Sequence, residues 1–251
     1  MTKTIFMIHG MWGGPWHWDK FKRYFTEKGF DCITPTLRYH DVGPDDPIPE
    51  GLGTTSLLDY ADDLEADIRK LGIKPIIMGH SMGGLLAQIL TSRGLAEKAV
   101  FIVPVAPAGI LTFESSVYKS LHDILFKRTF WKKPHKLTYE KAVYALMHKL
   151  PEEERDYIYT RAIFESGRAM AEICFGAFGM KGSQVDERKV NCPVLVVSAS
   201  EDRVTPASMI KKIAKKYQPH STYLEFPGHA HWITREPGWE MVADRIIDWL
   251  G

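Results

Sequence analysis

A serine stands between two glycines in Gly79-His80-Ser81-Met82-Gly83, directly after one apolar stretch and directly before another. A serine hydroxyl is a weak nucleophile at neutral pH. It becomes a strong one when an imidazole within hydrogen-bond reach takes its proton and a carboxylate orients that imidazole. The G-x-S-x-G string is short, and its plainest reading is a glycine turn between a strand and a helix. Its position favours more. A tight strand-to-helix turn thrusts Ser81 up at the strand end, and the flanking glycines avoid clashes. The following helix N-terminus then favours a developing negative charge.

Such a nucleophile needs an acid beyond a later strand and a base beyond the last one. Asp202 follows the apolar run Val194 to Ala199, in the turn Ser200-Glu201-Asp202-Arg203-Val204-Thr205-Pro206. Its neighbour Glu201 and the earlier Asp186 are rivals. Asp202 could also be a plain turn-former or the cap of a helix near Ala207. Phe226-Pro227-Gly228-His229-Ala230-His231-Trp232 offers two histidines for the base. H-x-H spacing also invites a metal, but no third ligand lies at a convincing spacing, so no metal is expected. Two backbone N–H groups should stabilise the oxyanion of a tetrahedral intermediate. One is that of Met82, after the nucleophile. The other comes from the loop His9-Gly10-Met11-Trp12-Gly13-Gly14, with Met11 as the candidate. Trp12 can wall an acyl pocket, whereas Trp18 reads as core packing.

The elements that must position these groups are legible in the hydrophobic pattern. Ile5 to Ile8 reads as a buried strand ending at His9-Gly10. Pro15 opens a helix that buries Trp18, Phe21 and Phe25 and stops at Gly29. Asp31 to Pro35 is a second strand, and residues 40–55 are loop. Leu57, Ala61, Leu64, Ile68 and Leu71 fall at helical spacing, started by a Ser56/Asp59 capping box and closed by Gly72. Pro75 to Met78 leads into the serine turn. The next helix buries Leu85, Leu86, Ile89 and Leu90, and Ala99 to Val103 is a strand. Pro193 to Ala199 and Thr222 to Phe226 are the last strands. The final helix opens at Pro237 and buries Val242, Ile246 and Leu250. Strands that alternate with helices predict an α/β fold with a mostly parallel sheet covered on both faces.

Residues 108–189 break that alternation and show no convincing strand. Val117, Leu121, Ile124 and Leu125 share a helical face, Thr138 caps a helix through Leu146, and Pro151 starts a third. The segment reads as a helical cap inserted into a core of residues 1–107 and 190–251. It should sit over the C-terminal edge of the sheet, where open α/β sheets bind ligands. Its Phe113, Phe126, Phe130, Trp131, Met147, Phe164, Met170, Phe175, Phe178 and Met180 supply an apolar stock for its own packing and its underside.

A chain of 251 residues suits one such domain. Hydrophobic residues make up 45% and charged residues 25%, an ordinary globular profile. Lys plus Arg is 32 against 31 Asp plus Glu, so no global field favours nucleic acid or an anionic membrane. The cations Lys127, Arg128, Lys132, Lys133 and Lys136 read as a solvated helical face. Three scattered cysteines, Cys32, Cys174 and Cys192, make no disulfide framework and suit a reducing cytoplasm. No apolar run approaches the roughly 18 residues that span a bilayer.

Taken together, His9-Gly10 after a strand, Gly79 through Gly84, Asp202 through Pro206 and Gly228 through Trp232 resemble, in order, the signature regions of the α/β-hydrolase superfamily. The match covers about residues 3–106 and 190–250. The resemblance implies the α/β-hydrolase fold and a serine hydrolase that needs no cofactor. Members end the last motif with a His before an apolar or aromatic residue, which assigns the base to His231 and leaves His229 as a departure. Ala199 stands where many members have Gly. The Trp-rich loop is similar to small carboxylesterases of the methylesterase and hydroxynitrile-lyase branch. The lyases place a lysine after the catalytic His, where this chain has Trp232. The implied substrate is a small-to-medium ester, with lactone or amide hydrolysis and perhydrolysis as alternatives on the same residues. A non-catalytic binding protein is the alternative of another class.

Overall fold

Ile5, Phe6, Met7 and Ile8 point alternately to the two faces of a sheet, and all four are buried. The computed structural model describes residues 2–112 and 114–251. Phe113 and the side chain of Leu121, both counted above among the apolar positions of the insertion, lie outside the described residues. The chain order begins with β1 (Thr4–Ile8), α1 (Asp19–Glu27), β2 (Asp31–Ile33), α2 (Leu57–Lys70), β3 (Ile76–His80), α3 (Met82–Ser92) and β4 (Lys98–Ile102). There follow α4 (Ser115–Leu125), β5 (Pro134–His135), α5 (Tyr139–Ala142), α6 (Glu152–Tyr159), β6 (Glu165–Ser166) and α7 (Gly167–Phe175). The chain closes with β7 (Val194–Ala199), α8 (Ala207–Lys216), β8 (Ser221–Phe226) and α9 (Trp239–Leu250).

Six parallel strands form one sheet in the order β2-β1-β3-β4-β7-β8. Phe6, Ile8, Ile77, Phe101 and Val196 pack under α2, α3 and α8. Ile5, Met7, Met78, Val100 and Val197 pack under α1 and α9. Burying one such side chain contributes about 1.5–3 kcal/mol. A strand covered on both faces gains this at every residue, which is why β1, β3, β4 and β7 read as unbroken apolar runs. The capping box forms as expected. Ser56 Oγ accepts from Leu58 N–H at 3.2 Å, and the Asp59 carboxylate accepts from Ser56 N–H at 2.8 Å.

Several boundaries differ from the sequence reading. Pro15 opens a 3-10 turn, Pro15–Trp18, and α1 starts only at Asp19. The second strand ends at Ile33, since it pairs with β1 alone and the pairing stops there. The last helix starts at Trp239, because Arg235 and Glu236 N–H groups fold back onto Trp232 O and Gly238 takes φ 87°. The stretch read as free of strands holds a short antiparallel pair, β5 with β6. Two-residue strands are too short to show a period of two, so the pattern could not reveal them. The helix capped by Thr138 becomes a π-helix over Val143–Met147. Among the described residues no helix is long and apolar enough to cross a membrane.

The excursion between β4 and β7 has its own apolar cluster, including Ile124, Phe130, Leu137, Met147, Ile158 and Met170. Two buried carboxylates tie it to the rest. Glu172, on α7, accepts from Ser56 Oγ and Leu57 N–H at 2.9 Å, at the N-terminus of α2. Glu165, on β6, accepts from Tyr60 Oη at 2.8 Å and from His40 Nε2 at 3.1 Å. His40 Nδ1 faces Arg38 O at 2.9 Å, so both ring nitrogens have acceptors and the imidazole is charged. Burial alone would push His40 down, but Glu165 outweighs it and holds His40 above its ordinary value. Burial likewise pushes Glu165 up, and His40 overcomes it, leaving Glu165 below its ordinary value.

Glu165→Ala should therefore lower the unfolding free energy by about 3–5 kcal/mol near neutral pH, because it strands a buried charge. Urea denaturation measures this. The wild-type advantage should shrink as pH falls through the depressed range of Glu165, and again as pH rises through the raised range of His40. A difference that stays constant with pH refutes the ion pair.

Candidate active site

At the end of β3 the backbone of Ser81 takes φ 56° and ψ −120°, a region that non-glycine residues rarely enter. Hydrogen bonds on both sides hold it there. Ser81 N–H donates to Ile102 O at 3.1 Å, and Val105 N–H donates to Ser81 O at 3.0 Å. The flanking glycines are required by close approach. A Cβ on Gly79 would stand 2.1 Å from Gly83 O, and one on Gly83 would stand 2.2 Å from Ile8 O.

β7 and β8 deliver two further side chains to Ser81. Ser81 Oγ lies 3.0 Å from His231 Nε2, and His231 Nδ1 lies 2.7 Å from Asp202 Oδ2. Asp202 is ringed by donors. Its Oδ1 accepts from Val204 N–H at 2.8 Å and Thr205 N–H at 2.9 Å, and its Oδ2 accepts from Thr205 Oγ1 at 2.7 Å. Burial pushes the Asp202 carboxyl up, but His231 and the Thr205 donors overcome it and keep the group below its ordinary value. An ionised Asp202 accepts a hydrogen bond from the Nδ1–H of His231. That leaves the Nε2 lone pair facing the Ser81 hydroxyl, so the hydroxyl proton has an acceptor in line.

Two more imidazoles crowd this site. The His17 ring lies 4.4 Å from that of His80 and 4.3 Å from the Trp232 ring, centroid to centroid. Burial, with His231 beside it, drives His80 down to about 3. Burial, then His80, drives His17 well below its ordinary value. Both are therefore neutral at physiological pH, and neither opposes a positive charge arising on His231.

Met11 borders the space at Ser81, and Met82 is the first residue of α3. Neither N–H has a hydrogen-bond acceptor among the described residues. The loop carrying Met11 passes close, since a Cβ on Gly10 would stand 3.1 Å from Ser81 Cβ. The space itself is small, about 20 Å³, and is lined by Met11, Trp12, His17, Leu146, His231 and Trp232 among others. That volume holds about one water molecule. Met11, Trp12, Leu146 and Trp232 also line an adjoining apolar space of about 30 Å³ that reaches Trp16, Met147 and Ile158. Trp12 is fixed there by its indole N–H, which donates to His135 O at 3.0 Å. A larger recess of about 580 Å³ is walled by Val105, Leu125, Ile173, Met209 and, from the turn that carries Asp202, Val204 and Thr205.

The rivals lie elsewhere. The Glu201 carboxylate pairs with Lys149 at 2.6 Å, Asp186 with Arg188 at 2.9 Å, and His229 with Glu236 at 3.3 Å. His17, Leu146 and Trp232 were not singled out as lining residues. Leu146 could not have been, because its place depends on the π-helix that shifts the register of its segment.

Residues 5–245 match the family model described as the alpha/beta hydrolase family. The chain is 22% identical over 238 residues to a bifunctional esterase/perhydrolase of Acinetobacter calcoaceticus, covering 91% of this chain and 84% of that protein. Its fold is similar to that of a methylesterase from Arabidopsis, with a TM-score of 0.75, 14% identity and 99% of each chain covered. It is similar also to a monoacylglycerol lipase of Paleococcus ferrophilus, with a TM-score of 0.74, 19% identity, and 99% and 95% of the two chains covered. Likenesses at such identities establish the fold, a six-stranded parallel sheet with helices on both faces.

Gly83→Ala should prevent the serine turn from closing, because the added methyl meets backbone rather than a movable side chain. The expected loss is about 3 kcal/mol or more in urea denaturation, at the upper end for overpacking. A variant of wild-type stability shows that the turn can open without cost.

Proposed function

The chain belongs to the alpha/beta hydrolase family, and from that premise we propose that it is a serine esterase acting through an acyl-enzyme on small-to-medium apolar esters. The observation that carries this reading is the relay from Ser81 Oγ to His231 Nε2 at 3.0 Å, and from His231 Nδ1 to Asp202 at 2.7 Å. Ser81 Oγ attacks the ester carbonyl carbon and gives its proton to His231. The carbonyl oxygen becomes an oxyanion, held by the Met11 and Met82 N–H groups. Collapse of that intermediate breaks the bond to the alcohol, which leaves with the proton from His231. Water, deprotonated in turn by His231, then releases the acid and restores Ser81. Asp202 keeps the imidazole in the tautomer that these steps need. The residues named require no cofactor for this sequence.

Residues 108–189 act in this reading as a cap. They contribute Leu146, Met147 and Ile158 to the apolar space beside Ser81, and shield the acyl-enzyme from bulk water. A second reading, perhydrolysis, rests on the likeness to the esterase/perhydrolase of Acinetobacter calcoaceticus. Hydrogen peroxide would then replace water in the second half-reaction and release a peracid. Peracid formation from acetate esters and peroxide tests it.

Ser81→Ala should abolish ester turnover and fluorophosphonate labelling with little loss of thermal stability. His231→Ala should lose at least about a thousandfold in kcat, and His229→Ala far less. Asp202→Asn should fold but turn over poorly, since Asn can hold the wrong imidazole tautomer. Substantial activity in Ser81→Ala overturns the mechanism, and a dead His229→Ala beside an active His231→Ala reassigns the base.

The narrow space at Ser81 sets a chain-length prediction. Each buried methylene adds about 0.8 kcal/mol until the pocket is full. Across p-nitrophenyl esters from acetate to palmitate, kcat/KM should therefore peak among short chains. A maximum at palmitate shows an open cleft and refutes the closed cap.

A further inference from the structure

Glu236 is buried with about 1% of its surface exposed, and among the described residues no Lys or Arg pairs with it. A carboxylate in that position is costly unless several donors point at it. Its donors come from one short segment. Oε2 accepts from Ala230 N–H at 2.7 Å, Oε1 accepts from Trp232 N–H at 3.1 Å, and His229 Nδ1 lies 3.3 Å from Oε2. Ala230 and Trp232 are the neighbours of His231 on either side. On its other side the segment is held by His80, whose Nε2–H donates to His231 O at 2.7 Å. His80 immediately precedes Ser81.

The geometry points to Glu236 and His80 as positioning residues that set the reach of His231 to Ser81, with His229 as the cap on the Glu236 carboxylate. The inference rests on the reading of His231 as the base. Neither residue touches the reacting atoms. Glu236 gathers two peptide N–H groups into one carboxylate and so fixes the bow of the chain at His231. His80 ties the carbonyl of the proposed base to the residue before the nucleophile, so Ser81 and His231 move as one body. This explains the second histidine of the H-x-H pair. It serves the carboxylate that holds the loop, and it does not face Ser81.

The test uses the full-length protein with p-nitrophenyl acetate. Glu236→Gln keeps the shape but turns one acceptor into a donor that faces a peptide N–H. It should lower kcat about a hundredfold, the size expected for a misplaced catalytic group, with KM within about twofold. The rate of fluorophosphonate labelling should fall in parallel, because labelling needs the same proton transfer from Ser81. His80→Phe keeps a planar ring without the donor and should behave alike, whereas His80→Gln can restore an N–H near the same place and should recover most of kcat. A purely structural role would lower the melting temperature and active fraction while leaving kcat per labelled site unchanged. That outcome overturns the inference, as does full kcat in Glu236→Gln. Should Glu236→Gln fail to fold, the pair His80→Phe and His80→Gln decides: equal kcat in the two refutes it. A wild-type protein inert to both ester and phosphonate sinks the proposed function itself, a result distinguishable from failure of the positioning role alone.

Discussion

A residue held at φ 56° costs on the order of 1–3 kcal/mol and persists only where its surroundings leave it no alternative. Ser81 is in that state, and much of the sheet is arranged around it. β3 lies between β1 and β4 in the sheet, so hydrogen bonds from both flanks fix its end. The helix that follows comes so near that Gly83 packs against the carbonyl of Ile8 with no room for a side chain. The Ser81 carbonyl accepts from Gly84 and Leu85 in α3 and from Val105 beyond β4, so the turn joins three elements. Those bonds offset the strain and hold the hydroxyl at the C-terminal edge of the sheet.

Electrostatics at that edge depends on dryness. His9, His17 and His80 are fully buried, and each is driven well below its ordinary range by loss of water. Five imidazoles, counting His40 and His231, thus occupy one region without five charges. His40 is the charged exception, because Glu165 faces it. Asp202 is the acidic counterpart near Ser81, ionised because His231 and Thr205 outweigh its burial. A proton arriving on His231 would meet that carboxylate and no neighbouring cation among the described imidazoles. The same low dielectric strengthens every bond in the relay.

Buried carboxylates join the excursion after β4 to α2 and to the loop before it. Glu165 reaches His40 and Tyr60, and Glu172 reaches the first turn of α2. Breaking such bonds strands charge in the interior, so the attachment is stiff. Stiffness matters because the excursion supplies Leu146 to the space at Ser81. The π-helix that presents Leu146 has its loosened carbonyls occupied by arginines. Arg203 Nη1 donates to Tyr144 O at 3.0 Å, and Arg155 Nε donates to Met147 O at 3.1 Å. Arg203 follows Asp202 in the chain, so the turn that carries Asp202 and the segment that carries Leu146 are braced together.

The order of the sheet elements, the turn around Ser81, and the capping box at Ser56 and Asp59 are local in origin. They follow from apolar period, glycine placement and side-chain length, all of which a sequence displays. The candidates Ser81, Asp202 and His231 were likewise legible, because each follows an apolar strand in the expected order. What distinguishes His231 from His229, or Asp202 from Glu201, is direction. Neighbouring side chains on a turn diverge, and only the packed sheet shows that His231 reaches Ser81 while His229 turns to Glu236. The excursion was the least legible part. Its two-residue strands, its π-helix and its pins to Glu165 and Glu172 leave no period in the sequence. The partners lie more than a hundred residues apart, from Glu165 to Tyr60 and from Glu172 to Leu57. Contacts at that range are chosen by the whole fold at once, through burial that no local pattern records.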